Sequence, residues 1–88
     1  MKLNPEFLIQ HIGDNAILVP VGSAGQKFHG IVQLNSTAAF IVGCLTKETD
    51  EANIRTALAN EYNGTDEEFA ASINDTLAKL RECGALIE

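Results

Sequence analysis

The hydrophobic pattern of this 88-residue chain changes its period at Asn35, and that change limits the folds available to it. Before Asn35, short runs rich in apolar and β-branched residues are separated by Gly, Asp, Asn and Ser, a pattern that is typical of strands. After Asn35, apolar residues recur at intervals of three and four, which is typical of helices that pack on a core. The sequence therefore predicts a sheet in its first part and helices in its second part.

Three strands are predicted, over residues 7–12, 16–21 and 27–34. Residues 13–15 form the first turn, because Gly, Asp and Asn tolerate positive φ, and residues 22–25 form a flexible connection. In the third strand Phe28, Val32 and Leu34 share one face, and Gly30 marks a bulge or a close backbone approach. Pro20 cannot donate a ladder hydrogen bond, so its nitrogen is expected to face away from a partner or to lie at a bulge.

Three helices are predicted after the strands, over residues 36–45, from 50 or 51 to 61, and 66–83. Asn35 is the expected N-cap of the first helix, which has almost no polar face and forms the centre of the core. Asn63 and Gly64 end the second helix, Thr65 and Glu68 form a capping box for the third, and residue 84 stops it. The predicted fold is α+β: a winged helix-turn-helix-like domain over residues 1–88, with a three-stranded antiparallel sheet followed by three helices (βββααα).

The charge of the chain argues against two classes of partner. Twelve acidic residues against six basic ones give a formal net charge of −6. Proteins that bind nucleic acid or anionic membranes need a basic face, because released counterions drive that affinity. With no secretory signal and no apolar stretch of membrane-spanning length, the chain is expected to be cytoplasmic with reduced thiols.

Catalytic and metal-binding constellations are not found in the sequence. Cys44 lies in an apolar helix and Cys83 in the last turn of another, where a small buried side chain is the expected role. His11 and His29 supply two ligands, whereas zinc needs three or four. The glycine-rich residues 22–27 precede a predicted strand rather than the helix that a phosphate loop requires. No enzyme activity, metal or cofactor is therefore expected.

The segment FHGIVQLNSTAAFI, residues 28–41, resembles the strand–helix signature of PqqD-like proteins. The likeness continues through LNP at residues 3–5, VPVG at residues 19–22, and apolar positions of the later helices. These include Leu45, Ile54, Leu58, Tyr62, Ile73, Leu77, Leu80 and Leu86. Each fragment is moderately specific, and their joint order and spacing over nearly the whole chain indicate the family.

This resemblance implies a peptide chaperone, also called a recognition element for ribosomally made, post-translationally modified peptides. Such a domain binds the leader part of a precursor peptide and presents it to a modifying enzyme, commonly a radical S-adenosylmethionine enzyme. The Tyr-Pro-Glu-Gly segment of PqqD proper is replaced by GQKFHG at residues 25–30, and Asp-Val in the third helix by Ser72 and Ile73. These departures indicate a paralogue that serves another peptide.

The resemblance places the leader as an added strand on the third strand, beside the third helix. An edge strand offers unpaired amides and carbonyls that an extended peptide can satisfy. The predicted peptide-binding residues are Lys27, Phe28, His29, Gly30, Ile31, Val32, Gln33, Ile73, Asn74, Leu77 and Arg81. From the pattern alone, Ile73 and Leu77 are expected in the core, and with the resemblance each is expected to face the core and the groove in part.

A winged-helix DNA-binding domain, or a general protein-interaction domain, is the alternative function. In a DNA-binding domain the third helix would enter the major groove, but from residue 65 to 83 it carries more acids than bases. Its charge therefore has the wrong sign for a phosphate surface. The precursor peptide, the modifying enzyme and the oligomeric state stay open, and an exposed edge would also permit a homodimer.

Overall fold

The elements follow the predicted order, with the sheet before the long helices. The computed structural model describes residues 1–27 and 30–88, and at residues 26 and 27 the backbone alone. In chain order its elements are β1 Lys2–Leu3, β2 Phe7–Ile12, β3 Asn15–Pro20, α1 Ser23–Lys27, β4 Val32–Leu34, α2 Ser36–Cys44, α3 Glu51–Glu61, α4 Asp66–Cys83 and β5 Leu86–Ile87. The predicted α+β class, with a three-stranded antiparallel sheet followed by three helices, is confirmed.

Strands β2, β3 and β4 form the sheet in that order, so β3 is central and β4 is an edge. A two-residue turn joins β2 to β3, and Gly13 occupies it with φ 62°, a conformation that favours glycine. The first predicted strand is confirmed, and the second begins and ends one residue earlier than predicted. Val32 and Leu34 face the core as predicted, since Leu34 is buried and Val32 is half-buried.

The prediction for residues 22–34 was wrong in two respects. Residues 23–27 form the short helix α1 rather than a flexible connection, and the strand begins at Val32 rather than at Lys27, which ends α1. Glycines suggested flexibility, but Ala24 is buried in the core and the Ser23 hydroxyl donates to both carboxylate oxygens of Glu6, at 2.5 and 2.6 Å. These tertiary contacts favour a helical turn over an extended strand at this point.

The three long helices lie where the sequence predicts them, within one residue at each end. The Asn35 side chain accepts from the Ala38 amide at 2.9 Å, and the capping box of Thr65 and Glu68 is present. The end of α3 differs from its prediction, because Tyr62 is extended and Gly64 has no positive φ. A Cβ at residue 64 would lie 3.2 Å from the Phe69 ring, so a close approach explains this glycine.

Helix α2 lies at the centre of the core, as its apolar sequence predicts. Ile41 and Val42 have no exposed surface, and β3, α3 and α4 surround them with other fully buried side chains. These are Leu18, Leu45, Ile54, Leu58, Leu77 and Leu80. The extended tail predicted at Leu86 and Ile87 is β5, which pairs with β1, a partner that the sequence did not indicate. Helix α2 thus packs against both the sheet and α4 and fixes one relative to the other.

Candidate peptide-binding groove

Backbone hydrogen bonds determine which groups the sheet leaves free. The Val21 amide donates to the Glu6 carbonyl at 2.7 Å, so these two residues form a hydrogen-bonded pair. Such pairs alternate along an antiparallel ladder, which makes Phe7 and Pro20 a pair without hydrogen bonds between them. Pro20 therefore loses no bond to β2 by lacking an amide hydrogen, in agreement with the prediction that its nitrogen faces away from a partner.

The same alternation shows the free groups of β4. The backbone groups of Leu18 and Ala16 do not bond to β2, so they point toward β4. Leu18 with Val32 and Ala16 with Leu34 are therefore the hydrogen-bonded pairs between β3 and β4. The amide and carbonyl of Gln33 then point to the open edge. No other backbone hydrogen bond joins residues 31–33 to the described part of the chain. This edge can accept an added strand.

A groove lies between the free edge of β4 and helix α4. Three adjoining depressions make it up, and their linings share Lys79. Strand β4 contributes Val32, Gln33 and Leu34. The groove extends beyond β4 to the β2–β3 hairpin and to the start of α2, which contribute Ile12, Asn15, Ala16, Ile17, Asn35, Thr37 and Ala38. The helix residues that line the groove are Ser72, Asp75, Thr76, Ala78, Lys79, Glu82 and Cys83. We call this region the β4–α4 groove.

The walls of the β4–α4 groove carry mixed charge. Lys79 is exposed, with Asp75 four residues before it and Glu82 three residues after it on α4. Within the described residues, the Lys79 ammonium makes no hydrogen bond or ion pair, since the ion pairs there join Met1 to Glu48 and Arg81 to Glu88. Burial raises the pKa of the Cys83 thiol at one end of the groove, so this thiol is protonated at neutral pH.

The predicted strand residues fall into three groups. Phe28 and His29 lie outside the described residues, and for Lys27 only the backbone position in α1 is described. Gly30 and Ile31 precede β4 and are exposed, Ile31 by 54%. Val32 and Gln33 belong to β4 itself and line the groove. The structure thus brings the second half of the predicted segment to α4.

The predicted helix residues lie apart from the groove lining. Ile73 and Leu77 face the core, with 2% and 0% of their surface exposed. Asn74 is exposed on another face of α4. The Arg81 guanidinium donates to one Glu88 carboxylate oxygen at 2.8 and 3.1 Å, and this bond holds the pKa of the Glu88 carboxyl below its usual value. Neighbouring residues of α4 line the groove instead.

Sequence reasoning missed the helix face that lines the groove. Ser72, Thr76, Lys79 and Cys83 are separated by four, three and four residues, so they lie along one face of α4. Their spacing is visible in the sequence, but the apolar stripe, which fixes the helix to the core, is the stronger pattern. A polar stripe beside an apolar one was the signal that could have identified them.

A second depression of about 530 Å³ lies at the far end of the hairpin, against α2. It is lined by His11, Gly13, Asp14, Ser36, Ala39, Phe40, Gly43, Cys44 and Tyr62. The rings of Phe40 and Tyr62 meet edge to face, with centroids 5.6 Å apart. Burial raises the pKa of the Cys44 thiol, which argues against a reactive thiolate. We call this region the α2 depression.

The described residues contain no group of three or more His, Cys, Asp or Glu side chains placed to hold a metal ion. In the same part of the chain, no helix has the length and apolar character needed to cross a membrane.

Comparison with known proteins connects this geometry to one family. Residues 15–86 match the family model described as coenzyme PQQ synthesis protein D (PqqD). Among solved structures, TbiB1 in complex with the TbiA(beta) leader peptide aligns with TM-score 0.78 and 20% identity, over 98% of this chain and 94% of that chain. Lasso peptide synthetase B1 complexed with the leader peptide aligns with TM-score 0.74 and 25% identity, over 99% and 96%. No curated protein sequence matches.

Proposed function

This chain belongs to the PqqD family, and on that premise we propose that it is a non-catalytic domain that binds the leader part of a ribosomally made precursor peptide. The observation that carries this proposal is the free edge of β4, which faces a groove along α4. Two proteins of similar fold were solved with leader peptides, which supports the same class of ligand here.

The leader would bind by adding a strand to β4. Its backbone would pair with the outward amide and carbonyl of Gln33, and with those of Ile31 if pairing continues. Each new hydrogen bond contributes about 0.5–1.5 kcal/mol after the exchange with water. Two to four such bonds hold an extended peptide without reading its sequence, so side chains must provide the selectivity.

The binding residues that we propose divide by how they act. Ile31, Val32 and Gln33 contact the peptide directly, and Lys27, Phe28, His29 and Gly30 remain candidates because they precede β4. From α4, Ser72, Lys79 and Cys83 contact the inward side chains of the peptide, and Thr76, which is buried, lies at the base of the groove. Ile73 and Leu77 act from below by fixing α4 to the core, and Asn74 and Arg81 remain candidates for a longer ligand.

The partner of the loaded domain is proposed to be a peptide-modifying enzyme, of the radical S-adenosylmethionine type. The chain is then a presenting subunit, and it acts in the cytoplasm, where ribosomal peptides are made. Because GQKFHG stands in place of Tyr-Pro-Glu-Gly, the product is proposed to differ from pyrroloquinoline quinone. A homodimer through the β4 edges would compete with peptide binding, since both need the same backbone groups.

An NMR titration tests the proposal. The isotope-labelled protein is titrated with synthetic peptides that cover the short reading frames beside its gene. We expect one peptide to shift the amides of residues 31–34 and of Thr76 and Lys79, while His11 and Phe40 stay unchanged. Shifts centred on His11 and Phe40, or no shift with any of the peptides, would contradict the β4 edge as the binding site.

A further inference from the structure

We propose that Lys79 makes the groove selective for a leader with an acidic side chain at one inward-facing position, an inference that rests on the proposed function. Lys79 lines all three depressions of the β4–α4 groove. Its side chain is exposed, and within the described residues its ammonium has no ion pair. A cation in this position is available to a ligand.

The geometry of strand addition brings a peptide side chain to Lys79. Paired residues of neighbouring strands point to the same face of a sheet. Peptide residues opposite Val32 and Leu34 therefore point to the inner face of the sheet, on the side where α4 adjoins β4. Val32 lines the same depression as Lys79, Glu82 and Cys83, so an inward side chain at this point of the peptide meets the Lys79 ammonium.

The acids beside Lys79 limit where the peptide can carry negative charge. From Asp75 to Lys79 the helix rises about 6 Å, and inward positions of a strand are about 6.8 Å apart. If one inward side chain faces Lys79, the adjacent inward side chains come near Asp75 or Glu82. We therefore infer an acidic residue at one inward position, with neutral or basic residues two positions before and after it.

The outward positions of the peptide have a different character. They extend the open face of the sheet, where Ile31 is exposed and Ile17 is half-buried. Gln33 lies directly opposite Ile17 on this face, and neither residue is charged. Apolar side chains at the outward positions would cover Ile31 and Ile17, so the residues on either side of the acidic one are expected to be apolar.

Local contact must carry this selectivity, because the overall charge opposes it. The chain has a net charge of −6 and would repel an acidic peptide at long range. In physiological salt the repulsion is screened beyond about 8 Å, whereas a contact pair in a groove persists. Loss of a partly exposed ion pair and its replacement by a like-charge pair together weaken binding by about tenfold.

A displayed library of random linear peptides tests the inference. Selections are made against the wild type, Lys79→Glu and Lys47→Glu. Lys47 is an exposed lysine between α2 and α3 that lines none of the three depressions, and its replacement changes the net charge equally. Selected peptides are then titrated by NMR, and those that shift residues 32–34 are aligned.

We expect the wild type and Lys47→Glu to enrich Asp or Glu at one position, and Lys79→Glu to enrich Lys or Arg there. A peptide selected on the wild type should bind Lys79→Glu about tenfold more weakly, and the loss should shrink at high salt. Peptides that bind at β4 without a charge preference at any position, or with the same preference in all three selections, would overturn the role of Lys79. If no selected peptide shifts residues 32–34, the proposed function fails first, and the role of Lys79 fails with it.

Discussion

The three-stranded sheet has two free edges, and a depression lies near each of them. Strand β2 is twice as long as β4, and its free outward amides belong to Ile9 and His11, since the Phe7 amide donates to the Asn4 carbonyl. By backbone alone β2 is the better template for an added strand. The two edges differ in what lies beside them, as the linings of the β4–α4 groove and the α2 depression show.

The β4–α4 groove runs along its strand, whereas the α2 depression lies at the end of its strand. All three residues of β4 line the groove, but within the described residues β2 contributes only His11 to the depression. A peptide on β4 can place successive inward side chains against α4, while a peptide on β2 could place one. An edge becomes a selective site when a helix follows it over several residues.

The largest expected effect comes from proline on each edge. Gln33→Pro removes the outward amide of β4 without removing a ladder bond to β3, and His11→Pro does the same on β2. Gln33→Pro should weaken leader binding by about tenfold or more. The variant lacks the amide that donates to the peptide, and the proline ring occupies space that the peptide needs. Calorimetric titration gives the affinities, and thermal unfolding by circular dichroism checks both folds. Equal losses in the two variants would show that binding is not confined to β4.

A smaller effect is expected when each depression is filled. Ser72→Phe places a ring in the β4–α4 groove, and Gly43→Phe places one beside the α2 depression, where a Cβ at residue 43 meets no atom within 4 Å. We expect Ser72→Phe to weaken leader binding by about fivefold, since a ring excludes part of the peptide. Fluorescence anisotropy with a labelled leader measures the affinity of both variants. Weaker binding in Gly43→Phe alone would move the site to the α2 depression.

The two free cysteines report on the two regions without any substitution. Cys83 lines the β4–α4 groove and Cys44 the α2 depression. Burial raises the pKa of both thiols, so less thiolate is present at neutral pH and alkylation is best measured near about pH 9. Bound leader should slow the alkylation of Cys83 by about threefold, a partial protection at a half-buried thiol. Mass spectrometry of the intact protein and its peptides follows both sites, and protection of Cys44 alone would reverse the assignment.

The smallest effect on binding is expected from Gly43→Ala. Alanine in the middle of α2 should raise the free energy of unfolding by about 0.5–1 kcal/mol, because it restricts the unfolded chain and meets open space. Leader affinity should not change. Denaturant unfolding measures the gain, and Gly84→Ala is the matched control that should lose stability, since residue 84 has φ 80°. A loss of affinity in Gly43→Ala would connect α2 to binding.

Local signals made most of the fold predictable. Asn35 and Thr65 are cap residues whose side chains bond within three residues, so their helices begin where the sequence places them. The prediction for residues 22–34 failed because contacts distant in sequence determine this segment. The Ser23 hydroxyl bonds to Glu6, and Ala24 is buried in the core. The pairing of β1 with β5 is likewise a contact between the two ends of the sequence.

The groove was harder to predict than the fold. The edge strand could be named from the sequence, since a three-stranded sheet must leave edges. The groove face of α4 depends on how that helix is rotated against α2 and on which side of it β4 lies. Apolar periodicity identifies the face that Ile73 and Leu77 present to the core, but it does not distinguish the two polar flanks of the helix. Ser72 and Lys79 lie on the flank beside β4, while Asn74 lies on the other.

The pairing of β1 with β5 brings the two ends of the described chain side by side. Lys2 lies opposite Ile87, and the Met1 amino group is held by the Glu48 carboxylate and the Thr49 carbonyl. A linker of a few residues could therefore join residue 88 to residue 1, and new ends could be opened in an exposed loop outside the groove. Such a circular permutant could be inserted into a loop of an enzyme with the strand and the helix that line its groove intact.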